Sequence, residues 1–335
     1  MASASTQPDL LLDLVQCPKC HSRLNHISGS LQCSACEFAG PVIGAKLVGF
    51  RDADYGHAKS IVQWPEQIIR RIEQELVALW PDRTPSDETR TLLSSVGLVS
   101  SDGHLNPMGS HLQYNSLEYE WQKKYDVLEG CIGMPDLPAA PRILDLGCGS
   151  GQTLRNINIP PHGLSVGVDY SADALAYGSV VSRQGPPDLL CCASAHNLPI
   201  RDQFFDLVIC RGSINYCHQE QCLTEAIRVL RPGGFLFCRV EQVWWDLNGL
   251  YQNKSVLGRL YRLRDLFWGL LNQTTGFQPQ PGGVICGSRT YTSKARFSRI
   301  VEPLGCKVLR FEDSSRGPQY RGHGTQAKIL CRRVA

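Results

Sequence analysis

Two pairs of cysteines near the start of the chain have the types and spacing that could bind a metal. Cys17 and Cys20 form the first pair and Cys33 and Cys36 the second, with twelve residues between the pairs. Such pairs present four thiolates from tight turns, and this is the tetrahedral ligand set that zinc prefers. Because four thiolates leave no open coordination position, we predict a zinc ion that stabilises the fold and takes no part in catalysis.

A glycine-rich turn is the second candidate for chemistry. Residues 143–151 read Ile-Leu-Asp-Leu-Gly-Cys-Gly-Ser-Gly, so glycines follow directly after an apolar run. Glycines let the backbone approach a ligand closely, and N–H groups at a helix start favour polar or negative groups. Further along, Asp169 ends another apolar run, where its carboxylate could accept hydrogen bonds from both hydroxyls of a ribose. Together these features predict a site for a dinucleotide or another nucleoside-containing cofactor.

The elements that must position these groups follow from the pattern of the chain beyond Pro141. Apolar runs alternate there with helix-like segments, as in βαβ units and parallel sheets. The predicted strands are 142–145, 164–169, 189–193, 206–210, 234–240, 307–311 and 327–331. The pattern therefore predicts an α/β fold in which the glycine turn follows the first of these strands.

The glycine turn closely resembles the first motif of class I methyltransferases that use S-adenosylmethionine (SAM). Residues 197–199, 205–208 and 230–234 resemble later motifs, in the order that the family has them. The resemblance covers about residues 119–334, and as a set its motifs are highly specific. It implies SAM as the cofactor and a Rossmann-like seven-stranded methyltransferase sheet with its last strand antiparallel.

The same resemblance assigns roles to single residues. It implies that Asp169 binds the ribose, that Tyr170 flanks the adenine, and that Arg211 lies near the sulfonium. Where the family usually has an acid for the adenine amino group, this chain has Ser194, so the Ser194 hydroxyl and the backbone of Ala195 are the candidates there. The residues implied to surround the methionine part of SAM are Asp145, Gly147, Cys148, Gly149 and Gly151.

Candidate catalytic residues follow the fourth predicted strand. Methyl transfer from a sulfonium is an in-line displacement, and holding the two reactants together in a water-poor pocket supplies much of the catalysis. A general base is therefore optional. Tyr216 and His218 could face the acceptor, since histidine can act as a base near neutral pH. His218 could equally begin the following helix as a surface residue.

Three regions organise the chain. Residues 10–50 form the zinc ribbon, which resembles the modules of the methyltransferase-activator family that are often fused or bound to methyltransferases. Residues 60–138 read as a helical linker, and residues 139–335 as the SAM-binding domain with a helical insertion at 241–291. Within the linker, residues 91–112 hint at a helix and a wing-like hairpin, a segment that can support a homodimer or bind substrate.

The insertion is too long for a plain connection and is typical of a lid or a substrate-specific element. Its apolar residues recur at three- and four-residue steps, which predicts an amphipathic helix: Val256, Leu260, Leu263, Phe267 and Leu270. We expect this face to pack on the domain as a lid, and the alternative is a membrane-surface or lipid-facing role. Trp244 and Trp245, just before it, could line an apolar acceptor pocket.

Composition and apolar patterning indicate which broad class of protein the chain belongs to. Apolar residues make up 42% of the 335 residues, and the net charge of +3 does not by itself indicate a nucleic-acid partner. The sequence has no run of about 18 apolar residues, so it predicts no transmembrane helix. The first residues lack the basic and apolar regions of a secretory signal. We therefore expect a cytoplasmic protein.

These observations predict SAM-dependent methyl transfer to a bulky, partly apolar small molecule. One alternative is a ribosomal RNA guanine-N1 methyltransferase, because those enzymes also have a cysteine ribbon before a class I domain and residues 193–199 resemble their corresponding segment. Their ribbon typically ends in a histidine ligand, where this chain has Cys36. RNA binding would need basic side chains on one face, and the candidates are Lys19, Arg23, Lys46 and Arg51. A non-catalytic scaffold with the same fold is the third reading, although a scaffold needs neither the glycine turn nor Asp169.

Overall fold

The structure, a computed structural model, describes residues 12–80, 85–124, 136–277, 290–313, 319–321 and 323–334. The chain divides into two compact units. The first unit comprises Met1–Val127, Cys148–Ile159 and Leu164–Ala193, and the second comprises Leu128–Gly147, Pro160–Gly163 and Ser194–Ala335. The start of the predicted ribbon, residues 81–84 and 125–135 of the predicted linker, and residues 278–289 of the predicted insertion lie outside the described residues.

In the described part of the chain, four strands are followed by four helices, and strands and helices are interspersed from Arg142 onward. The strands are β1 (Leu24–Ile27), β2 (Ser30–Cys33), β3 (Ala39–Ile43), β4 (Leu47–Gly49), β5 (Arg142–Leu146), β6 (Leu164–Asp169), β7 (Leu189–Cys192), β8 (Phe205–Arg211), β9 (Leu230–Glu241), β10 (Cys306–Asp313), β11 (Gln319–Tyr320), β12 (His323–Gly324) and β13 (Gln326–Arg333). The α-helices are α1 (Gly56–Ile61), α2 (Glu66–Ala78), α3 (Asp87–Ser95), α4 (Pro107–Lys124), α5 (Gln152–Asn156), α6 (Ala172–Val181), α7 (Gln219–Val229), α8 (Val243–Gln252), α9 (Val256–Thr275) and α10 (Lys294–Val301). A short 3-10 helix covers Ser213–Tyr216.

The first unit holds six strands in the order β1-β2-β3-β4-β7-β6. The four ribbon strands pair antiparallel with one another, whereas β4 pairs parallel with β7 through Leu47 opposite Leu190 and Gly49 opposite Cys192. All three residues of β4 are buried, as expected for a strand covered on both faces. The ribbon therefore continues the sheet of this unit.

The larger sheet of the second unit has five described strands in the order β5-β8-β9-β13-β10, and β11 and β12 pair separately as a two-stranded sheet. Strands β5, β8 and β9 are parallel, and β13 runs antiparallel to both of its neighbours, β9 and β10. The antiparallel last strand agrees with the sequence prediction. The predicted count of seven strands was wrong, because β4 pairs with β7 and so adds the four ribbon strands: the described residues hold six such strands in the first unit and five in the second.

The core of the first unit joins its ribbon to its helices. Buried apolar side chains from β4, α2, α4 and α6 form one cluster, for example Leu47, Ile72, Leu112 and Leu175. Burying side chains of this size contributes about 1.5–3 kcal/mol each. After α3, Val99 and Leu105 form an antiparallel bridge, at the place where the sequence hinted at a wing-like hairpin.

The predicted insertion is built differently from the expected lid. Its described residues form two helices, α8 and α9, and no helix in the described part of the chain is long and apolar enough to cross a membrane. The apolar residues expected to pack on the domain are all exposed: Val256, Leu260, Leu263, Phe267 and Leu270. The expectation of a packed apolar face was wrong because α9 turns its polar side toward the rest of the second unit.

Candidate functional site

The four ribbon cysteines lie together in the first unit. Their sulfur atoms are all within 4.8 Å of one another. Cys17 Sγ lies 3.5 Å from Cys36 Sγ, and Cys20 Sγ lies 3.5 Å from Cys33 Sγ. Four sulfurs at about 2.3 Å from one zinc ion stand about 3.8 Å apart in a tetrahedron, so the thiols fit that ion. Backbone N–H groups of Lys19 and Ala35 donate to two of the sulfurs, as tight metal-binding turns require.

The glycine turn has the backbone that its sequence predicts. Gly147, Gly149 and Gly151 all have positive φ angles, which other residues adopt only with strain. In the first unit, a Cβ at Gly149 would lie 2.7 Å from Asn115 Oδ1. Cys148 is buried, and its N–H donates to Val168 O at 3.1 Å. The turn is therefore tied to β6 and tightly packed.

Asp169, at the end of β6, holds this turn. Its Oδ2 accepts a hydrogen bond from Gly149 N at 2.8 Å, and its Oδ1 accepts one from Ser171 N at 2.8 Å. A carboxylate has about four lone-pair sites. Two acceptor positions thus stay available for the hydroxyls of a ribose while the other two fix the side chain. The structure brings Asp169 and Gly149 together as the sequence predicted.

A pair of amide side chains beside the turn was missed by the sequence analysis. Asn115 on α4 is 1% exposed, and its Nδ2 is buried with no hydrogen-bond partner among the described residues. Its Oδ1 accepts from Gln152 Nε2 at 3.5 Å, and Gln152 Oε1 accepts from Ser150 N at 3.0 Å. A buried donor without an acceptor is costly, so Asn115 is suited to bind an acceptor atom of a ligand.

Tyr170, the residue assigned to the adenine, is partly covered by the ribbon side of the unit. The Arg51 guanidinium lies 3.5 Å from the centroid of the Tyr170 ring, and Arg51 Nη1 donates to Tyr170 O at 3.1 Å. The Tyr170 side chain is nevertheless 44% exposed. One ring face is thus fixed by a cation, and the rest of the ring is accessible. This contact could not be predicted from the sequence, because the two residues lie far apart in the chain.

In the second unit, the first part of the glycine turn, up to Gly147, packs on the segment that follows β8. Asp145 is buried at the end of β5. A Cβ at Gly147 would lie 2.2 Å from Ser213 Cβ, and Ser213 Oγ donates to Leu146 O at 2.6 Å. Gly147 therefore permits the close approach of Ser213, which sets the start of the 3-10 helix. Ser213 is a second positioning residue that sequence reasoning missed.

The candidate catalytic residues lie at the end of this segment. Tyr216 ends the 3-10 helix with an exposed side chain, and His218 is half-buried and directly precedes α7. The backbone N–H of His218 donates to His196 Nε2 at 2.9 Å. His218 thus caps the start of α7, although it is half-buried and not the surface residue of the second sequence hypothesis. Its catalytic role stays a prediction.

Cys217, between these two residues, has an altered acidity. A hydrogen bond with Cys222, opposed by burial and aided by His196, lowers the pKa of the Cys217 thiol to about 7.

Beyond β7, His196 N donates to Ser194 Oγ at 3.2 Å, and Ser194 bridges to Asn197. Ala195 and Arg211 are both half-buried. The hydroxyl of Ser194 thus already accepts one local hydrogen bond.

Comparisons with known proteins agree with this geometry. Residues 144–238 match the family model of a methyltransferase domain. The demethylmenaquinone methyltransferase of Lactiplantibacillus plantarum is 32% identical over 208 residues, which cover 57% of this chain and 80% of the relative. The tRNA (carboxymethyluridine(34)-5-O)-methyltransferase of Arabidopsis thaliana is 31% identical over 159 residues, which cover 44% of this chain and 36% of the relative.

Other matches are shorter or more distant. The chain spans about half the length of several other curated relatives that it matches. The crystal structure of an S-adenosylmethionine-dependent methyltransferase from Mesorhizobium loti matches with 16% sequence identity and a TM-score of 0.46. The match covers 64% of this chain and 100% of that chain. The family model over the glycine turn and the match to most of the Lactiplantibacillus relative show that this chain belongs to the SAM-dependent methyltransferase family.

Proposed function

We propose that this chain transfers the methyl group of SAM to a bulky, partly apolar small molecule. The observation that carries the proposal is the hydrogen bond from Gly149 N to Asp169 Oδ2 at 2.8 Å. It fixes a carboxylate beside a glycine turn while leaving acceptor positions open. That is the arrangement needed to bind a ribose next to a chain of small residues.

The residues of the site fit SAM as a ligand. SAM supplies an electrophilic methyl group on a positively charged sulfur when it is bound. Asp169 accepts the ribose hydroxyls, and the exposed part of the Tyr170 ring flanks the adenine. The Asn115 Nδ2, buried without a partner among the described residues, donates to the carboxylate end of the ligand. Each of these contacts orients the donor, and orientation supplies several kcal/mol of the barrier reduction.

Further residues have roles assigned through the family motif. Asp145, Gly147, Cys148 and Gly151 surround the methionine part. Arg211 lies toward the sulfonium end, while Ser194 and Ala195 contact the adenine edge. In a water-poor site, fixed dipoles act more strongly on developing charge than they do in bulk solvent.

Tyr216 and His218 are the residues that act on the acceptor. His218 accepts the proton that an acceptor hydroxyl, amine or carbon acid loses during transfer, and Tyr216 orients the acceptor. Tyr216 ends the 3-10 helix that begins at Ser213, and His218 follows two residues later; the contact of Ser213 with Leu146 O fixes the start of that helix. A base supplies typically a factor of about 100 or more in rate.

The nature of the acceptor is inferred from the insertion and from the basic residues. Trp244 and Trp245 are half-buried at the start of α8, where Trp244 stacks on His323 with ring centroids 4.4 Å apart. Lys46, a candidate RNA contact, instead donates to the backbone oxygens of Ser182, Gly185 and Pro187. Arg51 is likewise engaged, with Tyr170. These contacts, and a relative named for demethylmenaquinone, favour a small molecule over RNA.

The ribbon supports this activity by holding a structural zinc ion on Cys17, Cys20, Cys33 and Cys36. The distances between the sulfurs fit one tetrahedral ion. A closed set of four thiolates has no position for a substrate, so the ion stabilises the ribbon. Because β4 pairs with β7, order in the ribbon supports the strand that lies beside β6.

The acceptor class is tested by incubating the purified protein with methyl-labelled SAM and a cell extract. We expect label in an organic-soluble fraction of small molecules, and no label without the protein. Label in an RNA fraction that ribonuclease removes would instead indicate an RNA acceptor, as in the ribosomal RNA alternative; two relatives are named as tRNA methyltransferases. Binding of SAM without label in any fraction would favour a scaffold.

A further inference from the structure

Helix α9 carries a continuous apolar face on the outside of the second unit. With about 3.6 residues per turn, one side of the helix is formed by Val256, Leu260, Leu263, Phe267 and Leu270, which we call the outer face. These side chains are between 46% and 75% exposed. The opposite side is buried or half-buried, and it is made of small or polar residues: Gly258, Arg262, Asp265, Gly269 and Asn272. The usual orientation of an amphipathic helix is thus reversed.

Specific contacts hold α9 in this orientation. Arg262 Nη1 lies 2.7 Å from Asp246 Oδ1, and Asp246 is 1% exposed. The Tyr291 hydroxyl donates to the other oxygen of Asp246, and Gly269 lets the ring of Tyr291 approach the helix. Rotating the helix to bury its outer face would remove Arg262 from a buried carboxylate. The outer face is therefore fixed toward the exterior by a buried charged group.

A second contact secures the C-terminal half of α9. Arg296 Nη1 donates to Asn272 O at 2.6 Å, and Asn272 Nδ2 donates to Gly276 O and Phe277 O at 3.1 Å. Both ends of the helix are thus anchored through polar groups. These polar contacts on the inner side of α9 keep its outer face exposed.

Basic residues border the outer face on both sides. On the helical projection, Arg259 and Arg264 fall on opposite edges of the outer face, and Lys254 directly precedes the helix. The acidic residue of α9, Asp265, lies on the half-buried side and pairs with Arg264. Arginine and lysine at such edges extend their apolar stems along hydrocarbon and their charges toward anionic groups.

We propose that α9 binds an anionic lipid surface, with its outer face in the acyl region and Arg259, Arg264 and Lys254 at the headgroups. This charge pattern favours lipid over a second copy of the chain. A two-fold dimer through α9 would place the same basic borders against each other, and the acid of the helix, Asp265, already pairs with Arg264 of its own chain. The helix lies in the surface plane, with its apolar side about 5–10 Å deep.

The proposal is tested by flotation of the full chain with vesicles. Vesicles of phosphatidylcholine alone are compared with vesicles that contain one third phosphatidylglycerol. We expect binding to the anionic vesicles, and a binding constant that falls as salt rises. The double variant Leu260→Glu/Phe267→Glu should lose binding at least tenfold. The control Leu309→Glu changes a residue of similar exposure on β10 and should bind like the unchanged protein.

A second variant separates charge from apolar burial. Arg259→Gln/Arg264→Gln should weaken binding to anionic vesicles roughly fivefold for each arginine, with an unchanged melting temperature. Failure of the unchanged chain to bind anionic vesicles would overturn the proposal, as would equal binding by the Leu260→Glu/Phe267→Glu variant. A dimer in solution that this variant dissociates would also overturn it, since the outer face would then bind a second copy.

Discussion

The guanidinium of Arg51 lies over the ring of Tyr170, 3.5 Å from its centroid, and Arg51 also donates to the Tyr170 backbone oxygen. Arg51 follows the last ribbon strand, β4, and Tyr170 follows β6, whose final residue is Asp169. The contact joins the ribbon to the residues assigned to the adenosine part of SAM. It gives the ribbon a physical route by which to affect cofactor binding.

Removing this contact should weaken SAM binding without abolishing it. A cation–π contact at an exposed site contributes about 0.5–1 kcal/mol, so Arg51→Ala should raise the dissociation constant of SAM roughly twofold to fivefold. Calorimetry measures this change. Arg70→Ala, which removes an exposed arginine paired with Glu66 on α2, is the matched control. Equal affinity of the two variants would show that Arg51 does not order Tyr170.

The glycine turn should be far less tolerant of a methyl group than a glycine elsewhere in the same unit. Gly149→Ala introduces a Cβ at positive φ and close to Asn115 Oδ1, so we expect SAM affinity to fall at least tenfold. Gly185→Ala is the control, because nothing lies within 4 Å of its added Cβ. The same titration is run on both proteins, and an unaffected Gly149→Ala would argue against cofactor binding at the turn.

Loss of zinc should destabilise the ribbon and the sheet of the first unit. Cys33→Ser should reduce bound zinc from one ion per chain to nearly none and lower the melting temperature by roughly 10 °C. Atomic emission measures the metal and circular dichroism the melting. Cys191→Ala, a change of a buried thiol on β7 outside the ribbon, should keep one zinc ion. Full zinc content in Cys33→Ser would contradict the four-thiolate site.

The His218→Ala variant tests whether catalysis can be lost while cofactor binding is kept. His218→Ala should lower kcat about 100-fold or more, as expected for the loss of a general base, while SAM affinity stays the same. His162→Ala, an exposed histidine of the same unit, serves as the control. Turnover at the unchanged rate in His218→Ala would mean that this residue only begins α7.

Much of this arrangement could be predicted from the sequence, because local patterns dictate it. β6 has the predicted bounds, 164–169, since its apolar run is short and ends in Asp169. The positive φ angles of Gly147, Gly149 and Gly151 follow from the motif that contains them. The four cysteines meet because tight turns present them in pairs. In each case the signal lies within a few residues of the chain.

Features that depend on distant residues could not be predicted in the same way. The pairing of β4 with β7 joins segments far apart in the chain, so the strand count was wrong. The role of Asn115 depends on how α4 packs beside Gly149. The orientation of α9 is decided by Asp246 and Arg262, and periodicity alone reports that a helix has two faces without telling which one is buried.

Asp169 provides the most direct test, by titration calorimetry of SAM against the purified chain and two variants. Asp169→Asn removes the negative charge of the carboxylate that accepts hydrogen bonds from Gly149 N and, in our proposal, from the ribose hydroxyls. Asp173→Asn alters a nearby carboxylate that contacts His57 instead. We predict measurable SAM binding by the unchanged chain and by Asp173→Asn, and binding roughly 100-fold weaker in Asp169→Asn, since charge-assisted hydrogen bonds contribute about 1.5–3 kcal/mol each. Absence of SAM binding to the unchanged, folded chain, or equal affinity in Asp169→Asn, would contradict the account.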